Sequence, residues 1–344
     1  MEGFSTPKQR SDRVVLEANA DYWDPQRRPQ LQRIVFDNTL SQHEAVELVK
    51  TTEGRVHLVT GLSPLETLRV AQSPFAAVVK KRGSLTTVFG QFNLRKRQSP
   101  WHDIRLRQAV NVAINREDLI RYATKGNGEI IPALLPPKAF GHDPTLTPYP
   151  FDPGKARHLL RDAGYPDGLP VTLIAPEDLA VQATVISKML EQVGFTVTLQ
   201  VLNSAVYPRK TVLNHLDQPA EEQTWDIALT RLTGWMNFPA FQLYQYFALG
   251  GPYDWGSEPP ELRRLYEQVV RTVDREPQRL LLQQMEQYTH AHALFLFLYN
   301  PIDLYAVNKA VAFVPYQTGI LNLTETSVTE EHWSVRKQKA GTQE

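Results

Sequence analysis

Residues 92–119 read FNLRKRQSPWHDIRLRQAVNVAINREDL, and this stretch sets the expected fold. Apolar side chains within residues 106–114 recur at the spacing of one helical face. Asp103 stands where it would cap that helix, and Asn115, followed by Asp118, stands where a second helix would begin. The stretch therefore predicts a strand end, a proline-containing loop and two capped helices in succession.

Two cations on the first of these helices, Arg105 and Arg107, lie off its apolar face. Neighbouring arginines can grip an anionic ligand, but solvated positions and ion pairs within the protein account for most such side chains. We therefore expect structural or solvated roles for both arginines.

Residues 150–230 indicate an α/β architecture. Asp152 is placed to cap a helix that ends at Gly164. A strand at Val171–Ala175, an amphipathic helix and an alternating strand at Phe195–Val201 then follow, and such a unit crosses over right-handed to build a parallel sheet. The elements expected to extend the sheet are a helix near Ser204–His215 and a strand at Trp225–Leu229.

Composition limits the classes of function. The 344 residues suffice for about two domains, and 37 basic against 37 acidic residues give no net charge to favour nucleic acid or an anionic membrane. The absence of cysteine excludes disulfides, thiolate metal sites and cysteine nucleophiles. No nucleophile elbow, P-loop or glycine-rich dinucleotide motif is present, and His290 and His292 alone make a poor metal site. We therefore expect no enzyme, no cofactor and no metal.

The stretch at 92–119 resembles the signature of the family 5 solute-binding proteins of ABC transporters, which are receptors for peptides, nickel and oligosaccharides. In that signature FN, a proline-containing loop, D-x-R-x-R-Q-A and A-I-N/D-R-E follow each other. Residues 13–23, RVVLEANADYW, are similar to the family's R-x-V-L-x-x-N-x-D-Y-W, and residues 149–168 to its Y-D-P-x-K-A-x-x-L-L-x-E-A-G-Y-P-x-G. The resemblance implies an α/β, bilobal fold of the periplasmic-binding-protein type II kind, with hinged lobes and mixed sheets.

The resemblance also implies a domain organisation. Residues 1–95 would form part of the first lobe, 96–295 the second lobe, 296–330 the return to the first lobe, and 331–344 a polar tail. Two crossings between lobes would make a hinge about a cleft. Because the segment at 13–23 normally lies well inside the family's chain, we expect about the first third of a family member to be missing from this sequence.

The binding interpretation concentrates on residues 225–247. The predicted ligand contacts are Trp235, Asn237, Arg231, Tyr207 and Phe241. The region resembles the family's Y-D-x-A-x-x-G-W-x-x-D-Y-P-D-P, in whose peptide-binding members the aspartate after the tryptophan receives the ligand's α-amino group.

This chain departs from that pattern, because no Asp or Glu occurs from Ile227 to Phe247. Losing such a charge-assisted hydrogen bond costs about 1.5 to 3 kcal/mol. Neutral or anionic solutes and sugars therefore stand beside peptides as expected ligands. Side chains such as Trp235 and Phe241 are more often core residues than ligand platforms, and Arg231 is as readily interpreted as half of a surface or interlobe ion pair.

The resemblance implies a monomeric, periplasmic or extracellular protein that closes over a small solute and presents it to an ABC permease, without direct contact with nucleic acid. Residues 1–8 contain no apolar run that would serve as a secretion signal, so this location presumes a signal outside the given sequence. Two alternatives remain: the effector-sensing domain of a cytoplasmic transcriptional regulator, and a truncated fragment that binds nothing.

Overall fold

The computed structural model describes residues 11–52, 54–213, 222–233, 244, 254–256 and 259–336. The chain divides into two compact units, one of Met1–Arg82 with Ile302–Glu344 and one of Gly83–Pro301. The predicted lobe limits at residues 95 and 295 would leave the strand before residue 95 in the first lobe. That strand instead belongs to the sheet of the second unit, and the division into lobes stays a prediction.

The described strands and helices are numbered separately in chain order. The strands are β1 (Arg13–Glu17), β2 (Arg33–Asp37), β3 (Leu58–Val59), β4 (Ala76–Lys81), β5 (Thr86–Phe92), β6 (Gly128–Ile130), β7 (Leu169–Pro176), β8 (Phe195–Leu202), β9 (Ile227–Thr233), β10 (Phe295–Pro301), β11 (Asp303–Asn308), β12 (Val311–Ala312) and β13 (Ser327–Val328). The helices are α1 (Gln42–Val49), α2 (Pro64–Ala71), α3 (Ile104–Ala113), α4 (Arg116–Thr124), α5 (Pro153–Asp162), α6 (Ala180–Glu191), α7 (Pro260–Arg271) and α8 (Arg275–Ala291).

The second unit is built on a six-stranded mixed sheet in the order β6-β10-β5-β9-β7-β8. Strand β7 runs parallel to both β8 and β9, whereas β5 is antiparallel to β9 and β10. The predicted strand–helix–strand unit is therefore confirmed as β7, α6 and β8. The strand expected at Trp225–Leu229 is observed as β9, which begins two residues later and ends four residues later.

Helix starts in the second unit follow the predicted caps. The side chain of Asp103 accepts from the amide of Arg105 at 2.9 Å, and that of Asn115 accepts from the amide of Asp118 at 3.0 Å. Asp152 likewise caps α5. Of the helix expected near Ser204–His215, residues 207–213 are helical, with a π-helical turn at Arg209–Leu213, and residues 214 and 215 lie outside the described residues.

Two apolar layers cover the faces of this sheet. Val88 and Phe89, consecutive on β5, point to opposite faces. The layer around Val88 includes buried side chains of α3, α5 and α6, and the layer around Phe89 includes those of α7 and α8. Helices on both faces leave the ends of the strands as the open parts of this unit.

The first unit contains an antiparallel sheet in the order β3-β11-β4. Val46 and Val49 of α1 and Val70 of α2 pack on one of its faces with Leu304 and Ala306. Strands β1 and β2 form a separate antiparallel ribbon, and β12 pairs with β13. Within the described residues, no helix combines the length and the apolar character needed to cross a membrane.

Candidate functional site

The arginines of the 92–119 stretch support the fold. The guanidinium of Arg107 is buried and donates to the carbonyl oxygens of Trp101 at 2.5 Å, His102 at 3.1 Å, His292 at 2.9 Å and Ala293 at 3.1 Å. His292 is the C-cap of α8, where unpaired carbonyls give the helix end a partial negative charge. The expectation of a structural role for Arg107 is confirmed, with carbonyl oxygens instead of a carboxylate as its partners.

Asn111 and Arg116 complete the hydrogen bonding of β10. The short strand β6 pairs with β10 only at Tyr299–Pro301. Beyond it, Asn111 Nδ2 donates to the Phe295 carbonyl at 2.9 Å, the Phe297 amide donates to Asn111 Oδ1 at 3.2 Å, and Arg116 Nε donates to the Phe297 carbonyl at 2.7 Å. Burial lowers the pKa of Arg116 to about 10, so it remains a cation at neutral pH. The two side chains therefore replace the missing part of a neighbouring strand.

The carboxyl ends of the parallel strands share one edge of the sheet with the chain's entry into and exit from this unit. Thr86, the first residue of β5, is paired with Thr233, the last residue of β9, and β10 ends at Pro301 on the same edge. Open sheets with parallel strands commonly bind ligands beyond the carboxyl ends of those strands. We call this the carboxyl edge and take it as the candidate site.

An ion pair marks the carboxyl edge. Arg231 lies two residues after the buried Leu229 of β9, and its Nη1 is 2.9 Å from Asp178 Oδ2, with side chains 39% and 53% exposed respectively. Asp178 belongs to the 3₁₀ turn that leads from β7 into α6. An exposed pair of this kind contributes at most about 1 kcal/mol, so a ligand can replace either partner at little cost.

Two neutral polar groups lie beside this pair. The phenol oxygen of Tyr299 accepts from Gln182 Nε2 at 2.9 Å. Burial raises the pKa of Tyr299 and outweighs the opposing effects of the Gln182 hydrogen bond and of Arg231, so its hydroxyl stays protonated near neutral pH. Both side chains are buried and support the edge from within, while the exposed Arg231 and Asp178 can contact a solute that carries both charges.

The described residues include two of the five predicted ligand contacts. Arg231 reaches the carboxyl edge. Tyr207 is buried, and its hydroxyl donates to the carbonyl oxygen of Leu229, so its side chain ties the segment before the π-helical turn to β9. The other three predicted contacts, Trp235, Asn237 and Phe241, lie outside the described residues. The assignment of all five as ligand contacts stays a prediction.

Asp178 escaped the sequence analysis because the search for a carboxylate covered only residues 225–247. The signal that could have found it was its position, two residues after Pro176, the last residue of the parallel strand β7.

His290 and His292 each place Nδ1 near a backbone carbonyl, of Pro132 at 2.8 Å and of Tyr288 at 2.9 Å. Within the described part of the chain, no three histidine or acidic side chains are grouped as metal ligands.

The architecture matches that of a solved periplasmic binding protein. The structure of the periplasmic binding protein DppA from Helicobacter pylori, in complex with the peptide STSA, matches 95% of this chain and 62% of its own with a TM-score of 0.78 and 21% identity. That identity is low enough for the likeness to establish the fold alone. The predicted fold class is thereby confirmed.

The family follows from the sequence match. The family described as bacterial extracellular solute-binding proteins, family 5 Middle, matches residues 6–254, which is more than half of the chain. The protein belongs to this family, as the motifs at 13–23, 92–119 and 149–168 indicated.

Two curated relatives carry more specific names. The chain is 26% identical over 167 residues to the dipeptide-binding protein of Escherichia coli strain K12, across 48% of this chain and 30% of that protein. It is 26% identical over 203 residues to the glutathione-binding protein GsiB of Salmonella typhi, across 56% of this chain and 37% of that one. The chain thus spans about a third of the length of the curated relatives it matches.

Proposed function

We propose that the protein binds a small peptide-like solute at the carboxyl edge of its six-stranded sheet and delivers it to an ABC permease, without catalysing a reaction. The observation that carries this proposal is the exposed pair of Arg231 and Asp178 beyond the parallel strands. Its support comes from the family, whose members are extracellular solute-binding proteins, and from relatives named for dipeptides and glutathione.

The ion pair fits a solute with both charges. In the proposed complex Arg231 turns from Asp178 to a carboxylate of the solute, and Asp178 receives an ammonium group. Each new charge-assisted hydrogen bond contributes about 1.5 to 3 kcal/mol, against at most about 1 kcal/mol for the exposed pair that is lost. Asp178 thus supplies, from another strand end, the carboxylate that is absent from residues 227–247.

The same proposal gives the protein a location and a partner. A solute-binding protein of this family works outside the cytoplasm, and we propose that it acts there as a monomer that meets a permease of the ABC type. Light scattering coupled to size-exclusion chromatography tests the proposed monomeric state. Fractionation of cells that express the complete gene tests the location, and recovery of the protein in the cytoplasmic fraction would favour the regulator alternative.

Titration calorimetry of the purified chain tests the binding. The solutes are L-alanyl-L-alanine, L-alanyl-L-alanyl-L-alanine and glutathione, each compared with an N-acetylated, C-amidated dialanine that carries neither terminal charge. We expect saturable binding, one per chain, for at least one charged solute and none for the blocked peptide. Binding of the blocked peptide with equal affinity would remove the ion pair from the explanation, and no heat with any solute would contradict the proposed ligand class.

A further inference from the structure

Glu286, on α8, is a fully buried carboxyl group surrounded mainly by apolar side chains. Its Oε1 accepts from the hydroxyl of Tyr244, which is also fully buried, and its Oε2 accepts from the amide of Leu135 at 3.0 Å. Both donors are neutral, and among the described residues no cation forms an ion pair with it. A carboxylate that is buried without a cation costs several kcal/mol, so such a group tends to take up a proton instead.

The surroundings of Glu286 explain which form it adopts. From the loop at residues 131–149, Asp143 adds a like charge, and His142 bonds to the Leu135 carbonyl at 3.0 Å. The buried side chains that α7, β5 and β10 contribute to the apolar layer around Phe89, which surrounds Glu286, are apolar. Burial, opposed by the bonds from Tyr244 and Leu135, raises the pKa of Glu286 to about 7. The carboxyl group therefore changes charge near neutral pH.

A short series of contacts joins Glu286 to the carboxyl edge. The amide of Leu135 donates to Glu286, and the carbonyl of the preceding residue, Leu134, accepts from Thr87 Oγ1 at 2.9 Å. Thr87 is paired in the sheet with Leu232, the neighbour of Arg231 on β9. Three consecutive contacts therefore connect the buried acid with the backbone that carries the proposed ligand contact.

Other polar side chains of α8 hold the same loop. Gln283 donates to the His142 carbonyl at 3.0 Å, and Gln287 donates to Asp143 Oδ2 at 2.7 Å. Together with Glu286 they line one side of α8, since residues three and four apart are neighbours on a helix. Of these three, only Glu286 is both fully buried and ionisable. His290, also on α8, bonds to the Pro132 carbonyl of the same loop, but burial lowers the pKa of its imidazole, so it is neutral in the range where Glu286 ionises.

We infer that Glu286 is a positioning residue for the proposed binding site: in its neutral form it lies closed against the Leu134–Leu135 backbone and Tyr244 behind the carboxyl edge, and on ionisation the cost of burying its charge outweighs its stronger bonds to these donors and opens the segment to water. The inference rests on the proposed function for its effect on binding. An acid whose pKa is higher in the folded than in the unfolded chain stabilises the fold at low pH. That contribution is lost as pH rises from about 4.5 to about 7.

Thermal unfolding at pH 5.5, 7.0 and 8.5 tests the titration. Glu286→Gln is the main variant, because its amide oxygen can accept from Leu135 while its NH₂ donates to Tyr244. Glu276→Gln is the matched control, since Glu276 lies on the same helix but is exposed and paired with Arg279. We expect the wild type and the control to lose melting temperature relative to Glu286→Gln as pH rises. Parallel pH profiles for all three proteins would overturn the inference.

Amide exchange at residues 134–135, corrected for the intrinsic chemical rate, tests the positioning independently of any solute. In the wild type we expect the opening constant of this segment to rise up to about tenfold per pH unit between about pH 4.5 and about pH 7 and to level off above that. It should stay constant in Glu286→Gln. A merely structural side chain would change the constant equally at every pH, and that result would contradict the assigned role.

Binding of L-alanyl-L-alanine at pH 6.0 and 7.5 completes the test. We expect the affinity to fall several-fold with pH in the wild type beyond any change in Glu286→Gln, and the titration of the peptide's own amino group cancels in this comparison. If dialanine binds neither protein, the proposed ligand class fails, while unfolding and exchange still decide whether Glu286 controls the segment. Equal pH dependence of binding in both proteins would remove its role at the site.

Discussion

Arginines in two regions of the second unit have opposite surroundings. Arg107 and Arg116, in the stretch that identifies the family, are buried and bonded mainly to backbone carbonyls. Arg231, at the carboxyl edge, is exposed and paired with a carboxylate. The comparison shows that the most recognisable cations of a sequence can belong to its architecture, while the cation proposed to meet solutes lies in a less recognisable segment.

The largest expected effect comes from removing a buried cation. Arg116→Met leaves several carbonyl oxygens, including that of Phe297, without their donor, and we expect a loss of about 3 to 5 kcal/mol in unfolding free energy or failure to fold. Denaturant unfolding followed by circular dichroism measures it. Arg121→Met, on the exposed side of the same helix, is the control and should cost less than about 1 kcal/mol. Equal losses of unfolding free energy in the two variants would contradict the proposed contrast between buried and exposed arginines.

Arg231→Gln should show the reverse pattern. The unfolding free energy should change by less than about 1 kcal/mol, because the pair with Asp178 is exposed. The affinity for a bound charged peptide should fall about tenfold or more, which corresponds to about 1.4 kcal/mol. Calorimetry checks this against Arg264→Gln, an exposed arginine of α7 that pairs with Glu261. Unchanged affinity for the charged peptide would show that Arg231 does not contact the ligand, while the description of the fold would stand.

Asp178→Asn sharpens the assignment of roles within the pair. If Asp178 receives the ammonium group of the solute, the variant should bind a peptide with a free amino terminus several-fold more weakly and its N-acetylated form unchanged. If Asp178 only competes with the solute for Arg231, both peptides should bind more tightly. Calorimetry with the two peptides separates these outcomes, and we expect the first.

The smallest effect concerns the first unit, where titration has the opposite sign to that at Glu286. His57 Nε2 and His332 Nε2 are 3.0 Å apart, and burial lowers the pKa of both imidazoles. The unfolded chain therefore binds protons more readily, and this contribution, present above about pH 6.5, is lost as pH falls. The opening constant of residues 326–336, taken from amide exchange corrected for the intrinsic chemical rate, should rise a few-fold between pH 7.5 and 5.5. His158→Gln, an exposed histidine of α5, should leave that rise unchanged, whereas His332→Gln should reduce it, since the half-buried His57 still titrates.

Local patterns predicted the parts of the fold that depend on near neighbours. Asp103, Asn115 and Asp152 were recognised as caps because a cap bonds to an amide two or three residues away. The partners of Arg107 at His292 and Ala293 lie more than 180 residues along the chain, and no local pattern contains them. The motif could therefore be recognised from the sequence without the reason for its arginine.

The candidate site was predicted less completely than the fold. Arg231 was named from its segment, but Asp178 is brought to it by the parallel pairing of β7 and β9, and only the three-dimensional sheet makes them neighbours. Glu286 carried no signal at all, since a lone acid on an amphipathic helix is indistinguishable from the exposed acids around it. Its burial depends on Tyr244 and on the loop that packs against α8.

The side chains that complete β10 also bear on solubility. A strand with unpaired amides and carbonyls is a template on which a strand of another molecule can add, and native proteins cover such edges. Asn111 and Arg116 bond to the backbone of Phe295 and Phe297, so these groups of β10 are not available to pair with a strand of another molecule. The same two residues that hold the fold therefore guard it against aggregation through this strand.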